Sequence, residues 1–374
     1  MTTAYFATTA RGLEDLAARE LESLGAVEVQ PVFTGVKFSG DKQLLYKVNL
    51  WSRLVFRVLV PIADIASKNA GELYDNVAGI DWGKYLNPNQ TLVVHCTGTN
   101  GSLNHTHFSA LQIKNAIVDQ QRQQTGTRSS VDKEWADISI NAHIEGDRCT
   151  LSLDSSGESL HRRGYHPAMG VAPLKETLAA ALLDLAGWTP DIPFLDPCCG
   201  SGTLAIEAAL KSIGVAPGLY RRFGLENWPD FDRQLWSELV TAAKQQQKEE
   251  LTAPIFASDA DKAMIDQSYT NASFCHLEDK IQFTCESLED LYPPTDTGII
   301  VCNPPYGKRV GDVETLRSFY RLMGDIFKQR FRGWTAFILT GNKELGKQVG
   351  LRTSARIPVY NGSLPCTLLK YELY

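Results

Sequence analysis

Basic charge is what this sequence most lacks: 37 Lys and Arg stand against 43 Asp and Glu, a net charge of −6 over 374 residues. Residues 1–170 hold 16 Lys and Arg against 18 Asp and Glu, and the remainder is acidic as well. A protein that grips nucleic acid through its global field is excluded; any contact with phosphates needs a local patch. Also missing is an apolar run approaching the roughly 20 residues of a membrane span. The N-terminus, Met1 to Arg11, has no basic stretch followed by an apolar core, so no leader peptide is expected. None of the eight cysteines forms a C-x-x-C pair, which argues for reduced thiols rather than disulfides or zinc. His105, His107, His161 and His166 lack Cys or carboxylate partners at ligand spacing, so no metal is expected. The expected setting is cytoplasmic, with no membrane partner. A length of 374 residues suggests two or three domains.

What is present falls into two textures. Up to about residue 155, short strand-like segments mix with helical ones. Residues 4–8, 27–36, 54–60, 91–96, 138–144 and 149–154 read as strands, with helices over 13–24, 44–51 and 108–124. Gly146-Asp147 between two alternating runs marks a β-hairpin. This is an α+β pattern. From about residue 160, strands and helices alternate: helix 174–186, strand 192–196, helix 203–213, strand 255–258, helix 261–273, strand 281–285, strand 298–302, helix 314–330, strand 334–340 and a last strand 367–373. Such alternation predicts an α/β, largely parallel, doubly wound sheet.

Two segments of the second half carry chemistry. Asp196-Pro197-Cys198-Cys199-Gly200-Ser201-Gly202-Thr203 joins a strand to a helix. Gly200 and Gly202 permit a tight turn and close approach of a ligand to the backbone. The amides at the helix start favour a carboxylate. Ala205 stands where a dinucleotide loop would place its third glycine, and Asp196 suits an ammonium better than a pyrophosphate. Asp259, with Ala260 and Asp261, ends the next strand, where a carboxylate can accept both ribose hydroxyls. It lies 59 residues beyond Gly200, against about 20 in the usual pattern, so an insertion over about 214–250 bulges out between them. Glu286, Ser287 and Leu288 follow the third strand, where a polar group could meet an adenine amine.

The second segment is Asn303-Pro304-Pro305-Tyr306, after the buried run 298–302. An exocyclic amine on a base is conjugated and a poor nucleophile. The Asn303 side-chain oxygen and a proline carbonyl can accept its two hydrogens, turning the lone pair toward an electrophilic methyl. The two prolines stiffen the turn and free its carbonyls from strand pairing. Tyr306 offers a face for stacking. Adenine N6, guanine N2, cytosine N4 and a glutamine amide all present the required group.

Residues 194–203, 259–261 and 303–306 together resemble class I methyltransferases with an N-P-P-Y motif, which use S-adenosylmethionine. Arg163-Gly164-Tyr165-His166, the run Ala172 to Leu182, the insertion Tyr220 to Trp228 and the opening Tyr5 to Glu14 extend the resemblance to the RlmL family. That family methylates guanine N2 in bacterial 23S ribosomal RNA. The resemblance covers essentially the whole chain. It implies a Rossmann-like methyltransferase domain over 160–374, preceded by a ferredoxin-like unit over 1–58 and a THUMP RNA-binding domain over 59–156. It implies catalysis by Asn303, Pro304, Pro305 and Tyr306, with cofactor contacts from Asp196, Pro197, Cys198, Gly200, Gly202, Thr203, Asp259, Ala260, Glu286, Ser287, Leu288 and Asn303. The partner would be 23S ribosomal RNA or an assembling large subunit, met by Lys114, Arg128, Arg163, Lys308 and Arg309. Relatives tend to carry an acidic residue near position 287, where this chain has Ser287 beside Glu286, and several carry a second methyltransferase domain that is not expected here. The rival expectations are transfer-RNA guanine N2 or DNA adenine N6 as acceptor, and a non-catalytic ribosome-assembly protein.

Overall fold

The computed structural model describes residues 2–165, 174–306 and 313–374. The chain divides into two compact units. The first gathers Met1–Thr9, Ala18–Leu160 and Arg221–Val240; the second gathers Ala10–Ala17, His161–Tyr220 and Thr241–Tyr374.

The N-terminal elements are β1 (Thr3–Thr9), α1 (Glu14–Leu24), β2 (Val27–Val32), β3 (Gly35–Gly40), α2 (Lys42–Trp51) and β4 (Val55–Ala66). They are followed by α3 (Ala70–Ala78), β5 (Leu92–Thr99), α4 (Thr106–Thr125), β6 (Ile138–Glu145) and β7 (Arg148–Asp154). The strands form one seven-stranded sheet in the order β2-β3-β1-β4-β7-β6-β5. All its pairings are antiparallel except that of β5 with β6. The 12-residue β4 joins the halves: Phe6 pairs with Leu59 on one side, while Leu59 to Ala66 pair with Asp154 to Arg148 on the other. Its register shifts at Pro61, which has no N–H for the ladder. Position 58 thus lies inside a continuous strand. The β6–β7 hairpin closes through Gly146-Asp147, with Glu145 opposite Arg148. Alternation in β6 sends Ile138, Ile140, Ala142 and Ile144 into a core with Leu73, Trp82, Ile113 and Ile117.

Residues 221–240 of the insertion belong to this first unit. Arg221 donates to the carbonyl oxygens of Ser156, Glu158 and Ser159, and Trp236 sets its ring edge-on to Tyr46 at 5.8 Å.

The later elements are α5 (Glu176–Leu185), β8 (Phe194–Asp196), α6 (Thr203–Ser212), α7 (Arg233–Gln245), β9 (Ile255–Asp259), α8 (Lys262–Ser273), β10 (Ile281–Cys285) and β11 (Ile299–Cys302). They continue with α9 (Val313–Arg330), β12 (Thr335–Thr340), α10 (Lys343–Gln348), β13 (Ala355–Asn361) and β14 (Leu364–Glu372). The second sheet has the order β10-β9-β8-β11-β12-β14-β13. The first five strands are parallel; β14 runs antiparallel between β12 and β13. This is the expected α/β, Rossmann-like arrangement after an α+β half. Central strands are covered on both faces and read as unbroken apolar runs, Ile-Ile-Val-Cys in β11 and Ala-Phe-Ile-Leu in β12. One face packs on α9 and the turn after it, where Tyr320 and Phe327, then Phe331 and Trp334, join Ile300 and Ile338. Each such ring buries roughly 1.5–3 kcal/mol of transfer free energy. No helix among the described residues is long and apolar enough to cross a membrane.

Candidate active site

Four neighbouring parallel strands end on the same edge of the second sheet, and the expected site residues follow those ends. Asp196 closes β8, Asp259 closes β9, Glu286 follows β10 and Asn303 follows β11. The registers Asp196 with Ala257, Cys285 with Asp259, and Ile300 with Leu195 hold these positions side by side.

The loop after β8 is held by its own backbone and by β9. The Cys199 N–H donates to the Ser258 carbonyl at 2.9 Å, and the Gly202 N–H to the Cys199 carbonyl at 2.8 Å. Asp259 pins the loop as well. Its Oδ2 accepts from the Gly200 N–H at 2.9 Å and its Oδ1 from the Asp261 N–H at 3.0 Å. Each oxygen keeps a lone pair for a ligand hydroxyl. Asp261, not Asp259, caps α8, accepting from the Ala263 N–H. Asn271 on α8 donates to the Ser201 carbonyl at 3.0 Å, a clamp invisible in the motif itself. Gly200 and Gly202 both take positive φ, +53° and +83°. A Cβ on Gly200 would meet open space, whereas one on Gly202 would lie 2.8 Å from the Ser268 Cβ. The two glycines therefore serve different ends: open backbone at Gly200, close helix packing at Gly202. Pro197 and Thr203 are buried, and Cys198 is half-buried.

Asp196 is buried, with the Cys198 N–H at 3.2 Å as its hydrogen-bond donor. Burial pushes its carboxyl up to about 8; the Cys198 N–H opposes this and the nearby Asp259 charge adds to it. A buried carboxyl so placed gains most when a cation comes beside it. Beyond β10, burial also raises Glu286, with Asp290 contributing. Ser287 donates its hydroxyl to Asp290 Oδ2 at 2.7 Å, Leu288 is buried, and Ala260 is exposed.

In the segment after β11, Pro304 is buried, Pro305 exposed and Tyr306 half-buried. The Asn303 Oδ1 is buried and finds no hydrogen-bond partner among the described residues. A buried acceptor left unmade costs about 1–3 kcal/mol, and here it directly follows β11, the strand beside β8. The Tyr306 hydroxyl accepts from Asn361 Nδ2 at 2.9 Å, a partner that no motif announced.

The expected nucleic-acid residues fare differently. Arg163 is only 3% exposed. Its Nε lies 3.4 Å from Glu207 Oε1 on α6, and the Tyr165 hydroxyl donates to the same oxygen at 3.0 Å. Burial in that pair takes Arg163 off the surface; it braces α6, the helix that follows the β8 loop. Lys114 is half-buried beside Asn115, and Arg128 is exposed. Lys308 and Arg309, like His166, Ala172 and Pro173, lie outside the described residues.

Residues 163–370 match the family model described as the RMKL-like methyltransferase domain. The chain belongs to that methyltransferase family. Residues 67–154 match the THUMP domain and 4–59 the RlmL ferredoxin-like domain. The candidate RNA methyltransferase slr0064 of Synechocystis is 57% identical over 99% of this chain and 97% of its own length. The ribosomal RNA large subunit methyltransferase K/L of Methylococcus capsulatus is 42% identical, across 100% of this chain but 52% of its own length. The chain thus spans about half the length of the K/L relatives it matches. Among solved structures, SMU.472, a candidate methyltransferase in complex with SAH, superposes with a TM-score of 0.89 at 30% identity, covering 100% of this chain and 98% of its own. A Listeria monocytogenes protein named as a predicted N6-adenine-specific DNA methylase gives 0.88 at 30%, covering 100% and 97%.

Proposed function

We propose that this protein methylates the exocyclic N2 of a guanine in 23S ribosomal RNA. The methyl donor is S-adenosylmethionine, which supplies an electrophilic methyl on a positively charged sulfur. The observation that carries the reading is the buried, unpartnered Asn303 Oδ1 directly after β11. An acceptor in that state suits an incoming amine N–H, and the Pro304 carbonyl, freed from strand pairing, takes the second hydrogen. With both hydrogens held, the amine lone pair points away from the base plane. Pro305 keeps the turn stiff and Tyr306 stacks on the base.

The loop residues Asp196, Pro197, Cys198, Gly200, Gly202 and Thr203 fit the methionine end of the donor, with Asp196 facing its ammonium. Asp259, beside Ala260, fits the ribose. Glu286, Ser287 and Leu288 fit the adenine; because the Ser287 hydroxyl is engaged with Asp290, Glu286 is the better acceptor of the adenine amine. Three functional parts at 1–58, 59–156 and 160–374 go with this reading, as do a cytoplasmic setting and RNA contacts from Lys114, Arg128, Lys308 and Arg309. The THUMP match favours RNA over the DNA named for the Listeria neighbour.

Asn303→Ala tests the assignment. It should lower methyl transfer by about 10²–10³-fold, as loss of one preorganised transition-state group does, while S-adenosylmethionine binding measured by calorimetry stays within a few-fold. Loss of cofactor binding together with turnover would make Asn303 a structural residue and sink the proposed role.

A further inference from the structure

We propose that Asn361 is a positioning residue for base recognition: by donating from Nδ2 to the Tyr306 hydroxyl, it fixes the direction of the ring on which the target base stacks. This rests on the stacking role given to Tyr306 above.

Three separate elements hold that ring. Its backbone end follows Pro304-Pro305, whose fixed φ angles limit where the Tyr306 Cα can go. Its far end meets Asn361, the last residue of β13, across 2.9 Å. Asn361 pairs with Leu364 at the mouth of the β13–β14 hairpin, so the donor stands on paired backbone and not on a free loop. One side of the ring lies against Gly341, just after β12. A Cβ there would come within 3.0 Å of Tyr306 Cδ2 and 3.1 Å of Cε2. The ring stays half-buried, leaving surface for a partner.

A tyrosine tethered only at its Cα would sample other χ1 and χ2 angles and lose stacking geometry for much of the time. The para oxygen lies on the χ2 axis, so a hydrogen bond there fixes χ1 and with it the direction of the ring, while close packing at Gly341 limits rotation about χ2. The β13–β14 hairpin, formally a sheet edge away from the motif, thereby takes part in holding the base without touching it.

The test compares Tyr306→Ala, Tyr306→Phe, Asn361→Ala, Asn361→Asp and the double variant Tyr306→Phe/Asn361→Ala. Each is assayed for kcat and KM in tritium transfer to purified 23S ribosomal RNA, and for S-adenosylmethionine affinity. Tyr306→Phe removes one oxygen and keeps the ring, so folding is not at issue. Asn361→Ala and Tyr306→Phe should each lower kcat by about tenfold, the worth of one hydrogen bond, with cofactor affinity unchanged. The double variant should fall no further, because both changes delete the same bond. Asn361→Asp, which can accept from the tyrosine hydroxyl, should recover much of the loss. Multiplied effects in the double variant, or an Asn361→Ala enzyme with normal kcat, overturn the inference. Tyr306→Ala separates the two readings: full turnover there defeats the stacking role itself, whereas a loss there beside normal Asn361→Ala defeats only the part given to Asn361. A second readout needs no turnover. In protein labelled with 3-fluorotyrosine, the Tyr306 ¹⁹F resonance, assigned by its absence in Tyr306→Phe, should shift and broaden in Asn361→Ala; an unchanged resonance contradicts the tether.

Discussion

At the scale of single residues, Asp196 offers a pH signature. Its carboxyl is raised by burial to about 8 in the free protein, far above the ordinary value of about 3.9. The folded state therefore holds a proton that the unfolded chain has released. This contribution to stability is complete below about pH 4 and is lost as pH rises toward 8. A cation bound beside Asp196 favours the charged form and lowers that value again. Cofactor binding at pH 7 should thus expel on the order of one proton, and affinity should rise from pH 6 to 8 and then level off. Calorimetry in buffers of different ionisation enthalpy reads this directly, and Asp196→Asn should abolish the dependence. Proton uptake, or no dependence in the native protein, would remove Asp196 from the cofactor's ammonium. The strand-end positions of Asp196, Asp259 and Asn303 were legible in the sequence because each closes or directly follows a recognisable strand. Asn271 and Asn361 were not, since their partners lie 70 and 55 residues away and no local pattern records such a bond. The burial of Arg163 was not legible either, since an arginine between arginine and glycine looks exposed until Glu207 is folded against it.

At the scale of elements, the β8–α6 turn shows how one motif meets two demands. Gly200 and Gly202 both have positive φ, but only the second has a neighbour in the way of a Cβ, at Ser268. Gly202→Ala should cost more than about 2 kcal/mol, adding overpacking against α8 to the strain of a left-handed alanine. Gly200→Ala should cost about 1 kcal/mol of stability, with its main effect on cofactor affinity. Urea unfolding of both variants checks the order, and equal losses would contradict it. The central parallel strands β11 and β12 were readable from unbroken apolar runs. The helix α10 and the strand β13 were not, because short segments carry little periodicity, while α3 and α7 have an amphipathic period that the reading passed over. β4 is a subtler case: its first half reads as a clear strand, but nothing local shows that it continues to Ala66 and serves two halves of one sheet.

At the scale of the whole molecule, an acidic chain is read as an RNA enzyme, and charge must be reconciled with that reading. A net charge of −6 supplies no long-range attraction for phosphates, so specificity has to come from shape and from the stacking and hydrogen bonding of one extruded base. Residues 221–240 of the insertion over about 214–250, which the sequence placed as a bulge between two strands, group with the N-terminal unit; such long-range packing has no local trace. The central claim remains the identity of the methylated group. The most direct measurement is tritium transfer from labelled S-adenosylmethionine to separately purified 23S ribosomal RNA, transfer RNA and duplex DNA, followed by digestion to nucleosides. The account predicts label in N2-methylguanosine from 23S ribosomal RNA alone. Label in N6-methyladenine from DNA, or in transfer RNA instead, would contradict it.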